Sequence, residues 1–247
     1  MLRLDRILAL LQSKLIKIVL VVTGLLLCGS HTVSAQSTVF NIPSTDVLSR
    51  GEGYFEADFS AHLSSYESGG YQLYGPRIVY GLGKRTEIGL NAFYTHSGTA
   101  EPIELQPNFK WKFLENKDNG LGAAAGVLVF IPITERSSSA SRAQVYAVIS
   151  KDLKRTGGPR FTAGAYGLIG LVEEGTAKQG VLLGYEHPLG KKLLLQADWS
   201  SGNNDFGYLS AGVGINLTTN GALYIGYSVG NQGRGNNYLG VFYGISF

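Results

Sequence analysis

Residues Ile103–Phe113 read IELQPNFKWKF. Ile103, Leu105, Pro107, Phe109, Trp111 and Phe113 alternate with Glu104, Gln106, Asn108, Lys110 and Lys112. Period two is the repeat of a β-strand, whose successive side chains point to opposite faces. One face of this stretch suits hydrocarbon and the other suits water.

The same split recurs along the chain. Twelve segments can be marked, near 52–62, 71–82, 86–96, 103–113, 120–131, 142–152, 160–171, 180–190, 192–201, 208–217, 221–229 and 237–247, each bounded by turn residues. A soluble sandwich also alternates, so length decides: its strands are usually about five or six residues, whereas a tilted membrane strand needs ~9–11. The expected fold is all-β, a transmembrane antiparallel up-and-down β-barrel of about 12 strands over residues 51–247. Pro76 and Pro107 fall inside proposed strands and each predicts a bulge or local break, because proline donates no ladder bond.

The first 35 residues differ. Arg3, Arg6, Lys14 and Lys17 precede the apolar run IVLVVTGLLL and the small residues of VSA, the pattern of a cleaved signal peptide. The run is about half of the ~20 residues a spanning helix needs. A lipoprotein site at Cys28 is disfavoured by the bulky Leu27 before it. The whole chain carries 21 Lys+Arg and 18 Asp+Glu; without four basic residues and Asp5 the remainder holds 17 of each. A neutral chain without a basic stripe gives no reason to expect nucleic acid as a partner. The one cysteine leaves with the leader, and with it any disulfide or cysteine metal site. Residues 36–50, QSTVFNIPSTDVLSR, are expected as an N-terminal periplasmic arm, with a place in the lumen as the alternative.

The chain stops on NYLGVFYGISF, still in strand period at Phe247. Closure explains it: in hydrocarbon every backbone N–H and C=O must pair, so the last strand bonds the first along its length. Val241, Tyr243, Ile245 and Phe247 resemble the C-terminal assembly signal of bacterial outer-membrane barrels. That resemblance implies outer-membrane lipid and the barrel-assembly machinery as partners, and the bacterial outer membrane as location.

YGPRIVYGLGKRTEIGLNAFY (74–94) and LLGYEHPLGKKLLLQADWSSG (182–202) together resemble the outer-membrane proteins of the MetA-pathway of phenol degradation family, which repeat a strand, a short turn after YGL and an E-x-G-L strand. The likeness spans most of the chain through generic hairpin motifs. It implies an outer-membrane barrel that passes small, often aromatic compounds, and it identifies no catalytic residue.

The residues themselves offer little chemistry. His62, His96 and His187 remain after the leader, and neither His62 near Ser64 nor His96 beside Ser97 has an acidic residue at a recognisable spacing. GLGKRT lacks the spacing of a phosphate loop and NKDNG lacks the closing ligands of a calcium loop. No catalytic residue, metal ligand or cofactor is read, so the chain is not expected to be an enzyme. The inward parity carries Glu56, Asp58, Arg77, Asn91, Asn108, Lys110, Glu186 and Asp198, with Phe130, Tyr146 and Tyr166 on a smoother, glycine-rich arc. These are the expected lumen and solute contacts. Glu56, Asp58 and Arg77 serve equally as a pairing brace. Gly126 is expected to face the lumen with room for a side chain, and Val127 the lipid. Twelve strands leave roughly 10 Å of opening after side chains, enough for small solutes. The leading expectation is a passive channel for small solutes, amphipathic or aromatic ones favoured; a lipid-modifying barrel enzyme and a closed structural or adhesive barrel are the alternatives.

Overall fold

A computed structural model describes residues 38–134, 141–153, 157–170, 175–233 and 235–247. The expected signal peptide and most of the loop around 132–141 lie outside them. Twelve strands follow in order: β1 (Gly53–His62), β2 (Tyr71–Gly81), β3 (Thr86–His96), β4 (Ile103–Asn116), β5 (Leu121–Pro132), β6 (Arg142–Asp152), β7 (Arg160–Gly170), β8 (Gln179–Leu189), β9 (Leu193–Ser200), β10 (Tyr208–Asn216), β11 (Gly221–Gly230) and β12 (Tyr238–Ser246). Each pairs antiparallel with its sequence neighbours, and β12 pairs β1, closing the barrel.

The seam is continuous from Tyr54–Ser246 to Ala61–Leu239. Beyond it Gly53 N donates to Phe247 O at 2.7 Å and Phe247 N to Gly53 O at 2.8 Å. Closure leaves no unpaired edge along these strands. Connections at one end are short; the turn between β8 and β9 places Gly190 at φ 73°, a left-handed position that glycine takes without a Cβ penalty.

The outer face is apolar around the barrel. Ile78, Leu90, Trp111, Ile149, Phe161 and Leu183 stand exposed on it, from six strands. The inner face is polar, with Glu56, Glu87, Asn91, Lys110, Gln144 and Asp198 buried. Such an inversion of the soluble pattern fits a barrel surrounded by hydrocarbon.

Both prolines loosen the ladder without shifting it. β2–β3 pairing is interrupted between Tyr74–Tyr94 and Arg77–Asn91, and resumes in the same register. β4–β5 pairing is likewise interrupted between Leu105–Ile131 and Asn108–Leu128. The register shift lies elsewhere, between Lys112 and Leu114, and β4 continues past it to Asn116.

Residues 38–50 correct an expectation. They do not form an arm beyond the barrel: Val39, Phe40, Ile42, Ser44, Thr45 and Leu48 are buried inside it. Leu48 packs with Tyr54 and Val79 near the short-turn end, and the chain climbs from there to a tight turn, with Val39 N bonded to Ile42 O at 2.8 Å. This segment is a plug.

Candidate functional site

The plug is held by groups on opposite sides of the wall. Asp198 on β9 directs one carboxylate oxygen, Oδ2, at three successive backbone amides, accepting from Phe40 at 2.9 Å, Asn41 at 2.5 Å and Ile42 at 3.0 Å. A carboxylate in such a nest satisfies donors that would otherwise be orphaned in a buried turn. Gln196 donates to Val39 O, and Asn41 Nδ2 reaches Ser210 Oγ at 2.7 Å and Ser228 Oγ at 3.1 Å. Lower down, Arg160 binds Asp46 through both terminal nitrogens and also donates to Thr45 Oγ1 at 2.6 Å. Leu48 N donates to Glu87 Oε2 at 2.8 Å, and Lys110 Nζ, 3.0 Å from Glu87 Oε1, donates to Asp46 O at 2.8 Å. Burial pushes the Asp46 carboxyl up, but Arg160, Lys112 and Lys110 outweigh it and hold the group below its ordinary value.

The smooth arc of the inner wall receives the plug's apolar side chains. A Cβ built on Gly184 would stand 3.1 Å from both Ile42 Cδ1 and Val39 Cγ2, and one on Gly226 would stand 2.6 Å from the Phe40 ring. Glycine here makes recesses that the plug fills, so its close approach depends on these positions. Phe40 packs against Phe242 with ring centroids 5.1 Å apart and planes tilted by 45°, and Val39 and Ile42 pack with Ala124, Val148, Leu168 and Leu182.

Beside and above the plug turn the lumen remains hollow. A cavity of about 350 Å³ has Thr38, Asn41, Ile42 and Pro43 on one side and reaches down the β1–β2 wall to Tyr54 and Val79, the level of Leu48. Glu56, Asp58, Arg77, Asn91, Asn108, Lys110, Phe130 and Tyr146 line it. Tyr166, Glu186 and Asp198 face inward but serve other contacts: Tyr166 donates to Ser201 O at 2.6 Å, Glu186 lies 3.9 Å from Arg160, and Asp198 holds the plug.

Every cation on the cavity wall has an anionic neighbour. Arg77 Nε lies 2.6 Å from Asp58 and Nη1 3.6 Å from Glu56, whose other oxygen accepts from Tyr54 OH at 2.5 Å. The Arg77 guanidinium sits between the rings of Phe93 and Phe242 at 5.5 and 5.9 Å. Lys110 pairs with Glu87. Sequence parity did not single out Arg142, which joins Asp205 at 2.7 Å and lies over Phe130 and Phe206. Glu87 was also missed, although it shares the parity of Asn91. Gly126 faces inward as expected, but the Tyr146 hydroxyl covers it and no room is left for a side chain.

The histidines are engaged separately. His96 does have an acidic partner, Glu101, at 3.1 Å, while the Ser97 hydroxyl donates to Ala100 O rather than to the imidazole. His62 contacts Asn237 O, and His187 contacts Tyr185 OH at 3.0 Å. The described residues include no group of three or more His, Cys, Asp or Glu able to hold a metal ion.

The twelve-stranded closed wall decides the architecture. This is the fold of porin-like outer-membrane barrels. KdgM porin superposes with a TM-score of 0.58 over 78% of this chain and 99% of that one, at 8% identity. NanC porin gives 0.50 over 79% and 98%, at 12% identity. The Salmonella typhi outer membrane phospholipase dimer with bound calcium gives 0.50 over 80% and 90%, at 13% identity. No protein-family model matches the chain, and no curated protein matches its sequence. At these identities the likeness is one of fold.

Proposed function

We propose that this protein is a bacterial outer-membrane channel for small solutes in which residues 38–50 plug the lower lumen. The observation that carries the reading is the 350 Å³ cavity running beside and above the plug turn, inside a closed wall that is apolar outside and polar within. Porin-like neighbours with the same strand number support it. Outer-membrane lipid and the barrel-assembly machinery are its proposed partners, the latter through Val241, Tyr243, Ile245 and Phe247.

The cavity chemistry favours neutral amphipathic or aromatic solutes. Glu56 and Asp58 share the Arg77 guanidinium and Lys110 pairs with Glu87; the neutral hydrogen-bonding groups of the cavity include the amides of Asn91, Gln106, Asn108 and Gln144, and its rings include Phe93, Phe130, Phe206 and Phe242. A neutral ring stacks on these rings and bonds these amides without breaking an ion pair. The MetA-pathway resemblance of residues 74–94 and 182–202 points the same way.

Planar-bilayer conductance tests the channel. The full chain is expected to give small, infrequent currents, and a variant lacking residues 38–47 large, steady ones. Silence from the deletion variant, when folded, would exclude a channel and leave the closed structural barrel. Lipid hydrolysis abolished by His96→Ala would instead favour the lipid-modifying enzyme.

A further inference from the structure

The loop between β9 and β10 turns into the lumen instead of away from it. Its base is tied: Gly207 N donates to Asn204 O at 3.0 Å, and Asn231 Nδ2 donates to Ser200 O and Gly202 O, each at 2.8 Å. Asn204 is buried and spends its amide hydrogens on Tyr166 OH at 2.8 Å, on β7, and on Ala177 O at 2.6 Å, just before β8. The loop backbone is thereby fixed, and its next two residues, Asp205 and Phe206, line the cavity.

Their side chains are met by β5, β6 and β7. The Phe206 ring lies 5.0 Å from the Phe130 ring and 6.4 Å from that of Tyr166, edge to face with the latter. The Arg142 guanidinium stands 5.4 Å from the Phe206 ring and 5.3 Å from the Phe130 ring, and its Nη1 donates to Asp205 Oδ2 at 2.7 Å. A carboxylate and an aromatic ring on adjacent residues thus share one guanidinium. Arg142 differs from the other cations of the cavity in its partner. Arg77 and Lys110 are held by carboxylates buried on the strands, whereas the Asp205 side chain is 53% exposed and free to turn out into water. Arg142 Nε is buried with no acceptor among the described residues, so Asp205 takes only part of the fork that a guanidinium offers to a carboxylate.

We propose that Arg142, Phe130 and Tyr166 form a subsite for a small aromatic carboxylate at the end of the cavity away from the short turns, and that Asp205 and Phe206 occupy it as a tethered mimic of that solute. This rests on the reading of the barrel as a solute channel, and adds to the neutral rings favoured by the rest of the cavity one place where an anion is taken. Exchange needs side-chain rotation alone, because Asn204 and Asn231 hold the loop backbone, and exposed side chains turn on picosecond to nanosecond scales. The solute carboxylate replaces that of Asp205 on Arg142 while Asp205 turns into water, so no buried charge loses its partner. The solute ring takes the place of the Phe206 ring beside Phe130 and the guanidinium. A competitor on the same chain acts at an effective concentration of roughly millimolar order. The native site therefore binds weakly and releases readily, as passage requires.

The test titrates the purified, folded full chain with 4-fluorobenzoate and, separately, with 4-fluorophenol, following the fluorine resonance of each. Weak, saturable binding of the benzoate is expected in the native chain. Asp205→Ala with Phe206→Ala removes the mimic and is expected to tighten benzoate binding by roughly ten-fold or more, with a smaller gain for the phenol. Adding Arg142→Gln to that variant should abolish the benzoate gain and leave phenol binding nearly as it was. Where Arg142→Gln yields no heat-modifiable barrel, Arg142→Lys, which keeps the charge and loses the fork, should remove most of the gain. Benzoate affinity unchanged or lowered by loss of Asp205 and Phe206 would overturn the mimic. So would an equal gain for the phenol, or a gain that survives the change at Arg142, since neither needs the guanidinium. No saturable benzoate binding in either protein would overturn the subsite itself. Bilayer conductance of the plug-deleted barrel judges the channel separately: silence there with benzoate binding intact would end the reading as a passage and keep the subsite as one of a closed barrel.

Discussion

Arg160 on β7 grips Asp46 on the plug through both terminal nitrogens, Nη2 standing 3.1 Å from Oδ1. Lys112 approaches the same carboxylate at 3.8 Å, and Lys110 donates to the main-chain oxygen of Asp46. The lower plug is thus held by three cations of the wall. Replacement of Asp46 by Asn removes a charge-assisted interaction worth about 1.5–3 kcal/mol, a roughly ten- to hundred-fold rise in the undocked population. Planar-bilayer open probability is expected to rise by that order at neutral pH. An unchanged open probability would show that the polar and apolar contacts of Val39–Ile42 hold the plug without Asp46.

Acid should act on the same contact. Because the docked plug holds the Asp46 carboxyl below its ordinary value, its contribution is present above the ordinary carboxylate range and is lost as pH falls through the lowered docked value. The Asp46-dependent part of channel opening is therefore expected only under strongly acidic conditions. Comparing open probability against pH for the native chain and Asp46→Asn isolates it: the difference between the two should shrink on acidification, and a difference constant with pH would contradict the assignment.

At the upper end, Asp198→Ala deprives three backbone amides of their acceptor. Faster hydrogen exchange at Phe40, Asn41 and Ile42 is expected, by roughly ten-fold or more for each unit of ~1.4 kcal/mol lost. Exchange along β9 and β10 should change little, since the ladder bonds of Ala197 and Ala211 are untouched. Equal protection of the plug amides in both proteins would assign their protection to burial rather than to Asp198.

The wall was legible in the sequence because each strand had to satisfy two solvents at once, and IELQPNFKWKF states that requirement residue by residue. The lumenal direction of Glu56, Arg77 or Asp198 follows from the same parity. The plug was not legible as a plug. VFNIP has no period, and its partners are Asp198, Ser210, Ser228 and the glycine recesses, all more than 140 residues away in sequence. Phe40 and Ile42, apolar residues between the leader and the first strand, were the available signal. The interrupted β2–β3 ladder was legible in Pro76.

The faces of β6 can be tested at neighbouring positions. Val145 lies exposed on the outer face, while Gln144 lines the cavity. Val145→Arg is expected to cost about 2–4 kcal/mol in barrel stability if it lies near mid-membrane, whereas Gln144→Arg points into the polar lumenal cavity and is expected to cost less. Urea unfolding in lipid vesicles compares them. Equal destabilisation would sink the assignment of outer face to hydrocarbon.

Gly184 offers the most direct control of the plug. It faces inward between Thr162 and Asp198, its register partners, and the atoms nearest a built Cβ are side-chain ends of the plug, Ile42 Cδ1 and Val39 Cγ2, each at 3.1 Å. A valine there is well suited to a strand, so the wall itself is expected to fold normally, but its methyl groups need the volume that Ile42 occupies. Gly184→Val should therefore undock the plug and raise open probability, while heat-modifiable folded barrel is recovered in normal yield. Ile42→Ala alone should also loosen the plug, by about 2–5 kcal/mol of lost packing if the recess cannot close. Combined, the small residue on the plug makes room for the large one on the wall, so the double variant should open less than the two single effects predict when added. A double-mutant cycle on open probability measures that coupling. Strict additivity would mean that Ile42 does not rest in the Gly184 recess when the protein is in the membrane.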